Sequence, residues 1–196
     1  MAHRRFPDRL AFVLSNPLRN YFSPPDRLIS KLDIGPKDVV VDFGCGPGFF
    51  TVPLAKIASK TIGVDISPRM LEKAASYARR SGVTIETVES DGTRIKLPND
   101  SIDLILLAHV FHEVEERSRV LGEFLRMLKP AGRLVVVEKT QGNGVLSRFG
   151  LGPPIINEGD IIQELTQAGY ALSTAMPRGK DSIVTTKKPG PSNSTS

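Results

Sequence analysis

The sequence predicts an α/β fold with a largely parallel sheet and an antiparallel strand pair at its C-terminal end. Three observations carry this. Val39-Val40-Val41 is an uninterrupted β-branched run, as in strands buried on both faces. It runs through Asp42 into Gly44, Gly46 and Gly48, a strand-to-helix turn of the kind at which open α/β sheets place their ligands. Strand-like runs and segments of helical period then alternate as far as Gly169, beyond which two short strand-like stretches follow one another directly.

The elements follow in order. The head, residues 1–36, carries scattered apolar residues (Phe6, Phe12, Phe22) broken by Pro7, Pro17, Pro24 and Pro25, and reads as a helical cap, a packing strap or a membrane-surface segment. Within it Pro25 to Leu32 forms a short helix with Leu28, Ile29 and Leu32 on one face. After the first strand, Phe49 to Ser59 is the first major helix, with Pro53 near its first turn. Thr61 to Asp65 is the second strand, and Ser67-Pro68 caps and opens a helix whose apolar face is Met70, Leu71, Ala74, Ala75 and Ala78, ended by Gly82. Val83 to Glu89 alternates as a third strand and runs into the polar turn Ser90-Asp91-Gly92-Thr93.

Leu97 to Ser101 turns the chain into a fourth strand, Ile102 to Ala108. His109-Val110-Phe111-His112-Glu113 comes next, with His112 and Glu113 suited to opening a helix that runs to Leu128 on a face of Val120, Leu121, Phe124, Leu125 and Leu128. Lys129 to Gly132 stops it before a fifth strand, Arg133 to Glu138. Lys139 to Asn157 is a Gly- and Pro-rich loop holding Leu146, Phe149 and Leu151. Ile161, Ile162, Leu165 and Ala168 mark a last helix closed by Gly169, followed by strands over Tyr170 to Met176 and Ser182 to Lys187 and a disordered tail, 189–196.

Composition bounds the function classes. No apolar run approaches the ~18 residues of a bilayer span, and the head has no apolar core behind its arginines, so a cytoplasmic location is expected. The single cysteine, Cys45, excludes an internal disulfide and reads as a small packing residue beside a ligand. The net charge of +5 is dispersed, with no dense basic run or interleaved aromatics, so a solvated basic surface is expected and not a nucleic-acid partner.

The candidate site gathers around the glycines. A dinucleotide fingerprint needs a glycine at position 49, which is Phe49. Asp65, about twenty residues on, stands where a carboxylate accepts from a ribose diol, which fits adenosine or NAD equally. Asp91 fits either a ligand contact or an ordinary turn residue before glycine. His109 and His112 with Glu113 are the chemically suggestive group beyond the fourth strand. His3 is the one other histidine, so a metal set is incomplete and no metal is expected.

Taken together, the D-x-G-x-G-x-G turn, Asp65, Asp91, the stretch Leu97 to Leu107 with His109, and the Lys129-Pro130 turn resemble the class I S-adenosylmethionine (SAM)-dependent methyltransferases. The match runs from about Asp26 to Lys188 and is nearest to the ubiquinone/menaquinone-biosynthesis (type 11) branch, with Ala131 where that pattern has a second glycine. The resemblance implies a Rossmann-like, doubly wound seven-stranded sheet with helices on both faces and a C-terminal antiparallel strand pair. It implies a methyltransferase domain over 37–188 that uses SAM, leaves S-adenosylhomocysteine and methylates a small, partly apolar acceptor. It places Asp42, Gly44, Cys45, Gly46 and Gly48 on the methionine part, Asp65 on the ribose and Asp91 on the adenine amine. Ile66, Met70, Gly92, Ala108 and His109 then line the cofactor, and His109 and His112 are the candidate catalytic pair. The head and the 139–157 loop are expected to cover an apolar acceptor pocket. An arsenite methyltransferase is disfavoured by the single cysteine. The competing readings are a non-catalytic SAM-binding or scaffolding protein and an NAD-dependent oxidoreductase, the latter disfavoured by Phe49 and the terminal strand pair. Oligomeric state stays open.

Overall fold

The computed structural model describes residues 25–140, 155–178 and 181–190. The aromatic residues of the head, Leu146, Phe149 and Leu151 of the 139–157 loop, the turn around Gly179 and most of the C-terminal tail lie outside the described residues.

Seven strands form one mixed sheet in the order β3 (Glu86–Glu89), β2 (Lys60–Asp65), β1 (Val39–Phe43), β4 (Ile102–Ala108), β5 (Leu128–Lys139), β7 (Asp181–Lys187) and β6 (Ala171–Arg178), the architecture the sequence predicts. The chain divides into two compact units, one ending at Asp91 and one beginning at Gly92.

In the first unit, α1 (Asp26–Ile29) buries Leu28 and Ile29. β1 (Val39–Phe43) pairs in parallel with β2 (Lys60–Asp65), with Asp42 opposite Gly63, and β2 pairs in parallel with β3 (Glu86–Glu89). Between β1 and β2 lies α2 (Thr51–Leu54), much shorter than the helix expected over Phe49 to Ser59. Beyond Leu54 three-residue turns, Lys56 N to Pro53 O and Ile57 N to Leu54 O, mix with the four-residue bond from Ala58 N to Leu54 O, and no regular helix continues. α3 (Pro68–Arg80) buries Met70, Leu71, Ala74 and Ala78, while Ala75, expected on the same face, is half-buried. β3 begins at Glu86, not Val83, and as an edge strand it keeps Glu86, Thr87 and Glu89 exposed.

In the second unit, β4 (Ile102–Ala108) pairs in parallel with β5 (Leu128–Lys139), which runs antiparallel to β7 (Asp181–Lys187), itself antiparallel to β6 (Ala171–Arg178). Two boundaries differ from expectation. α4 (Arg117–Met127) stops at Met127, and Lys129 to Gly132 lies inside β5, because Leu128 already pairs with Ile102 before a bulge restores register at Leu104 and Arg133. His112 and Glu113 do not open α4 either. They sit in a separate 3₁₀ turn, Phe111–Glu113, with Glu116 standing between it and the helix. α5 (Glu158–Gln167) is capped by Asn157, whose side chain accepts from Gly159 N at 3.0 Å. Arg126 of α4 pins the 94–101 segment through the Ile95 and Leu97 carbonyls and Asn99. No helix among the described residues is long and apolar enough to cross a membrane.

Candidate active site

The glycine turn is stitched to β2. The backbone N–H groups of Gly44 and Cys45 both donate to Val64 O, at 2.8 and 3.0 Å. Gly44, Gly46 and Gly48 all take positive φ, 69°, 51° and 93°, a backbone that other residues adopt only at a cost. Their surroundings differ. A Cβ on Gly48 would stand 3.1 Å from Ala74 Cα, so this glycine lets the turn lie against α3. A Cβ on Gly46 would meet no protein atom within 4 Å.

Asp65, the last residue of β2, closes the same turn. Its Oδ2 accepts from Gly46 N at 2.8 Å and its Oδ1 from Ser67 N at 2.9 Å. The next strand tip is joined in turn, since Ser90 N donates to Asp65 O at 3.1 Å. Asp91 follows, exposed, while Ile66 is half exposed and Met70 is buried.

Asp42 is the buried acid of the group. Thr51 donates its hydroxyl to Asp42 Oδ2 at 2.6 Å. Burial pushes the Asp42 carboxyl up to about 7; the Thr51 hydrogen bond opposes that rise and the Asp65 charge adds to it. Such an acid is poised to ionise fully when a cation comes beside it. Cys45 is buried too, its Sγ 3.0 Å from where a Cβ on Gly63 would sit, so Gly63 makes the room for it. Burial above all, with Asp42 and Asp65 behind it, pushes the thiol above its ordinary range, which leaves Cys45 a packing residue and no nucleophile.

In the second unit, Ala108 ends β4 opposite Val137, and His109 N donates to Val137 O at 2.8 Å. His109 has φ 60°, left-handed for a non-glycine residue. Gly92 has φ 91° and is buried. The 3₁₀ turn that follows is anchored by buried Phe111, whose carbonyl accepts from Arg117 Nε at 3.2 Å and whose ring lies 4.9 Å beneath the Arg117 guanidinium. His112 turns toward β5. Its Nδ1 lies 3.1 Å from both carboxylate oxygens of Glu138, and its backbone N–H donates to Glu138 Oε1 at 3.3 Å. The Glu138 hydrogen bond is the largest influence on His112 and raises its pKa; burial and Arg117 oppose the rise, and the charges of Glu138 and Glu113 add to it. Among the described residues no group of three or more His, Cys, Asp or Glu is placed to hold a metal ion.

Sequence reasoning missed Thr51 and Glu138. A signal for Glu138 was present: VVVE at 135–138 repeats VVVD at 39–42, a buried strand ending in an acid.

The family model for a methyltransferase domain of type 11 matches residues 41–136, the span from the strand before the glycine turn to the strand before Glu138. Over that span the chain is similar to methyltransferase domains of this type. It is 31% identical over 109 residues to the demethylmenaquinone methyltransferase of Thermus thermophilus, covering 55% of this chain and 49% of that one. It is 28% identical over 96 residues to the ubiquinone biosynthesis O-methyltransferase of Cereibacter sphaeroides, covering 49% and 39%. The chain thus spans about half the length, or less, of these curated relatives. The crystal structure of a SAM-dependent methyltransferase from Aquifex aeolicus shares the fold, with a TM-score of 0.83 at 24% identity over 93% of this chain and 99% of that one.

Proposed function

We propose that the chain binds SAM at the tips of β1, β2 and β3 and transfers its methyl group to a small, partly apolar acceptor of the quinol type. The observation that carries the reading is the Asp65 carboxylate, held between the N–H groups of Gly46 and Ser67 directly beside the open space over Gly46. A carboxylate so fixed stands at the strand tip from which an acid reaches a ribose diol, and a glycine with nothing above it lets a ligand approach the backbone.

The residues fit the cofactor's chemistry. Gly44 to Gly48 would carry the methionine part, Asp42 its cationic end, Asp65 the ribose, and Asp91 the adenine amine, with Ile66 and Met70 beside the base. SAM supplies a methyl group on a positively charged sulfur. What the chain supplies is position: holding two reactants in line contributes roughly 7–11 kcal/mol of the barrier. The absence of a nucleophile in the glycine turn, where Cys45 stays a thiol, is therefore consistent with catalysis. The quinol assignment rests on the relatives named for menaquinone and ubiquinone biosynthesis, and the small-molecule partner and cytoplasmic setting belong to the same reading.

Calorimetric titration with SAM, S-adenosylhomocysteine and NAD, followed by turnover of 1,4-dihydroxynaphthalene with release of S-adenosylhomocysteine, tests it. Tight NAD binding without SAM binding overturns the cofactor. SAM binding with no methylation of any small acceptor would favour a scaffolding protein instead.

A further inference from the structure

The contact that no sequence motif announced is the one between His112 and Glu138. Glu138 is 1% exposed, unusual for a glutamate, and its carboxylate is turned onto a single histidine. A carboxylate can only accept, so Nδ1 of His112 carries the hydrogen in both protonation states of the ring. The proton that comes and goes is then the one on Nε2. The backbone N–H of His112 bonds the same carboxylate, which fixes the ring's position as well as its tautomer.

We propose that Glu138 is the positioning residue for His112, and that His112 Nε2 takes the hydroxyl proton of a phenol or enol acceptor. This deepens the methyl-transfer reading above and rests on it. Both residues lie at the carboxyl ends of their strands' path, Glu138 near the end of β5 and His112 in the turn after β4, the side on which α/β sheets bind ligands. With Nδ1 held by Glu138, Nε2 is the ring nitrogen left to accept a proton from an acceptor hydroxyl.

The step balances. The acceptor's O–H proton passes to Nε2. Its freed electron pair, on oxygen or on the conjugated carbon, forms the bond to the methyl carbon while the carbon–sulfur bond breaks and leaves its pair on sulfur. Methylation at carbon is completed by loss of that carbon's own hydrogen as a proton, with the hydroxyl proton restored. The net yield is one methylated acceptor, one thioether and one proton released to water. An acceptor with no proton to lose, such as a tertiary amine, would have no use for the pair.

Among the described residues, three charged groups bear on His112. Glu138 faces it from β5. Glu113, on its own turn and half exposed, has Oε1 3.7 Å from Nε2. Arg117 on α4 opposes them, with its charge engaged by Glu164 of α5 at 2.7 Å. Ser182 pairs with Glu138 across β5 and β7, and its hydroxyl bonds Glu158. Glu138→Gln keeps an acceptor for Nδ1–H and removes the negative charge, so the His112 titration must move to lower pH.

The experiment uses the full chain. In the ligand-free protein, the His112 ring signal is followed by NMR against pH in wild type and Glu138→Gln. In the SAM-loaded protein, turnover of 1,4-dihydroxynaphthalene is followed across the same range. The expected result is a downward move of both the NMR titration and the acid limb of the rate profile, with about a 10–100-fold loss of kcat at the plateau and SAM affinity unchanged. His112→Gln should lose about 10²–10⁴-fold. A Glu138→Gln protein that melts lower but titrates and turns over like wild type would make the pair structural and overturn the proposal. A wild type that binds SAM yet never methylates a phenol or enol overturns the acceptor class. A wild type that binds no SAM sinks the parent reading and leaves the NMR arm to judge the pair.

Discussion

Gly46 donates its backbone N–H to Oδ2 of Asp65 at 2.8 Å, so the acid at the tip of β2 holds the turn at the tip of β1. The two residues lie nineteen positions apart, and neither side of the contact makes sense as a surface accident. The carboxylate organises the turn before any ligand arrives, which is the pre-organisation that lowers the entropy lost on binding.

Removing that carboxylate therefore has two effects. Asp65→Ala should weaken SAM by about 1–3 kcal/mol, through loss of a charged acceptor from two hydroxyls, and lower stability by ~1 kcal/mol through the freed Gly46 and Ser67 N–H groups. Calorimetric titration and thermal melting of the same sample separate the two. Full SAM affinity in a destabilised Asp65→Ala protein would show that this acid serves the turn alone.

The glycines should separate in the same way. Gly48→Ala drives a Cβ to 3.1 Å from the Ala74 backbone and should cost about 1–3 kcal/mol of stability as overpacking. Gly46→Ala meets no protein atom and should cost only ~1 kcal/mol, for its positive φ, while weakening SAM at least about tenfold, or ~1.4 kcal/mol. Gly46→Val should be worse. Urea melts and SAM titrations of the variants decide it; a Gly46→Val protein with wild-type affinity removes the turn from the site.

Much of this was legible in the sequence because buried parallel strands leave an unbroken apolar signature. Val39 to Val41, Ile102 to Ala108 and the Leu134 to Val137 run were all placed, as was the face of α3. The misplacements share a cause. Leu128 joins β5 because it pairs with Ile102, twenty-six residues away, and no local pattern reports that. His112 leaves α4 for Glu138 because the parallel register sets Ala108 against Val137, again a long-range fact. Thr51 lies three residues past the last glycine of the motif, and only the fold brings its hydroxyl to Asp42.

The bulge of β5 offers a test free of any ligand. Ala131 has φ 62°, so Ala131→Gly should raise stability by about 0.5–1 kcal/mol as the left-handed cost is relieved. Gly132→Ala should do the opposite, by about 2–3 kcal/mol, because its Cβ would lie 2.8 Å from Lys129 O and 3.0 Å from Ile102 O, backbone atoms that have no room to yield. Denaturant midpoints for both variants check it, and a destabilised Ala131→Gly protein would refute the strain.

Asp42 gives the pH prediction. Burial holds its carboxyl near 7 in the folded chain against an ordinary 3.8. Between those values the folded state keeps a proton that the unfolded state has lost. Stability must therefore fall as pH rises from about 4 to about 7 and level off above. Asp42→Asn keeps an acceptor for the Thr51 hydroxyl and removes the titration. It should melt higher than wild type at pH 8, flatten the slope between pH 4 and 7, and bind SAM more weakly, since the charge opposite the cofactor's cationic end is gone. Saturating SAM should reduce the slope in wild type as well, by favouring ionised Asp42 inside the same window. Melting curves at pH 5, 6, 7 and 8, with and without SAM, measure all of this. If wild type and Asp42→Asn show the same slope, Asp42 is already ionised in the fold, and its burial is balanced by partners other than Thr51.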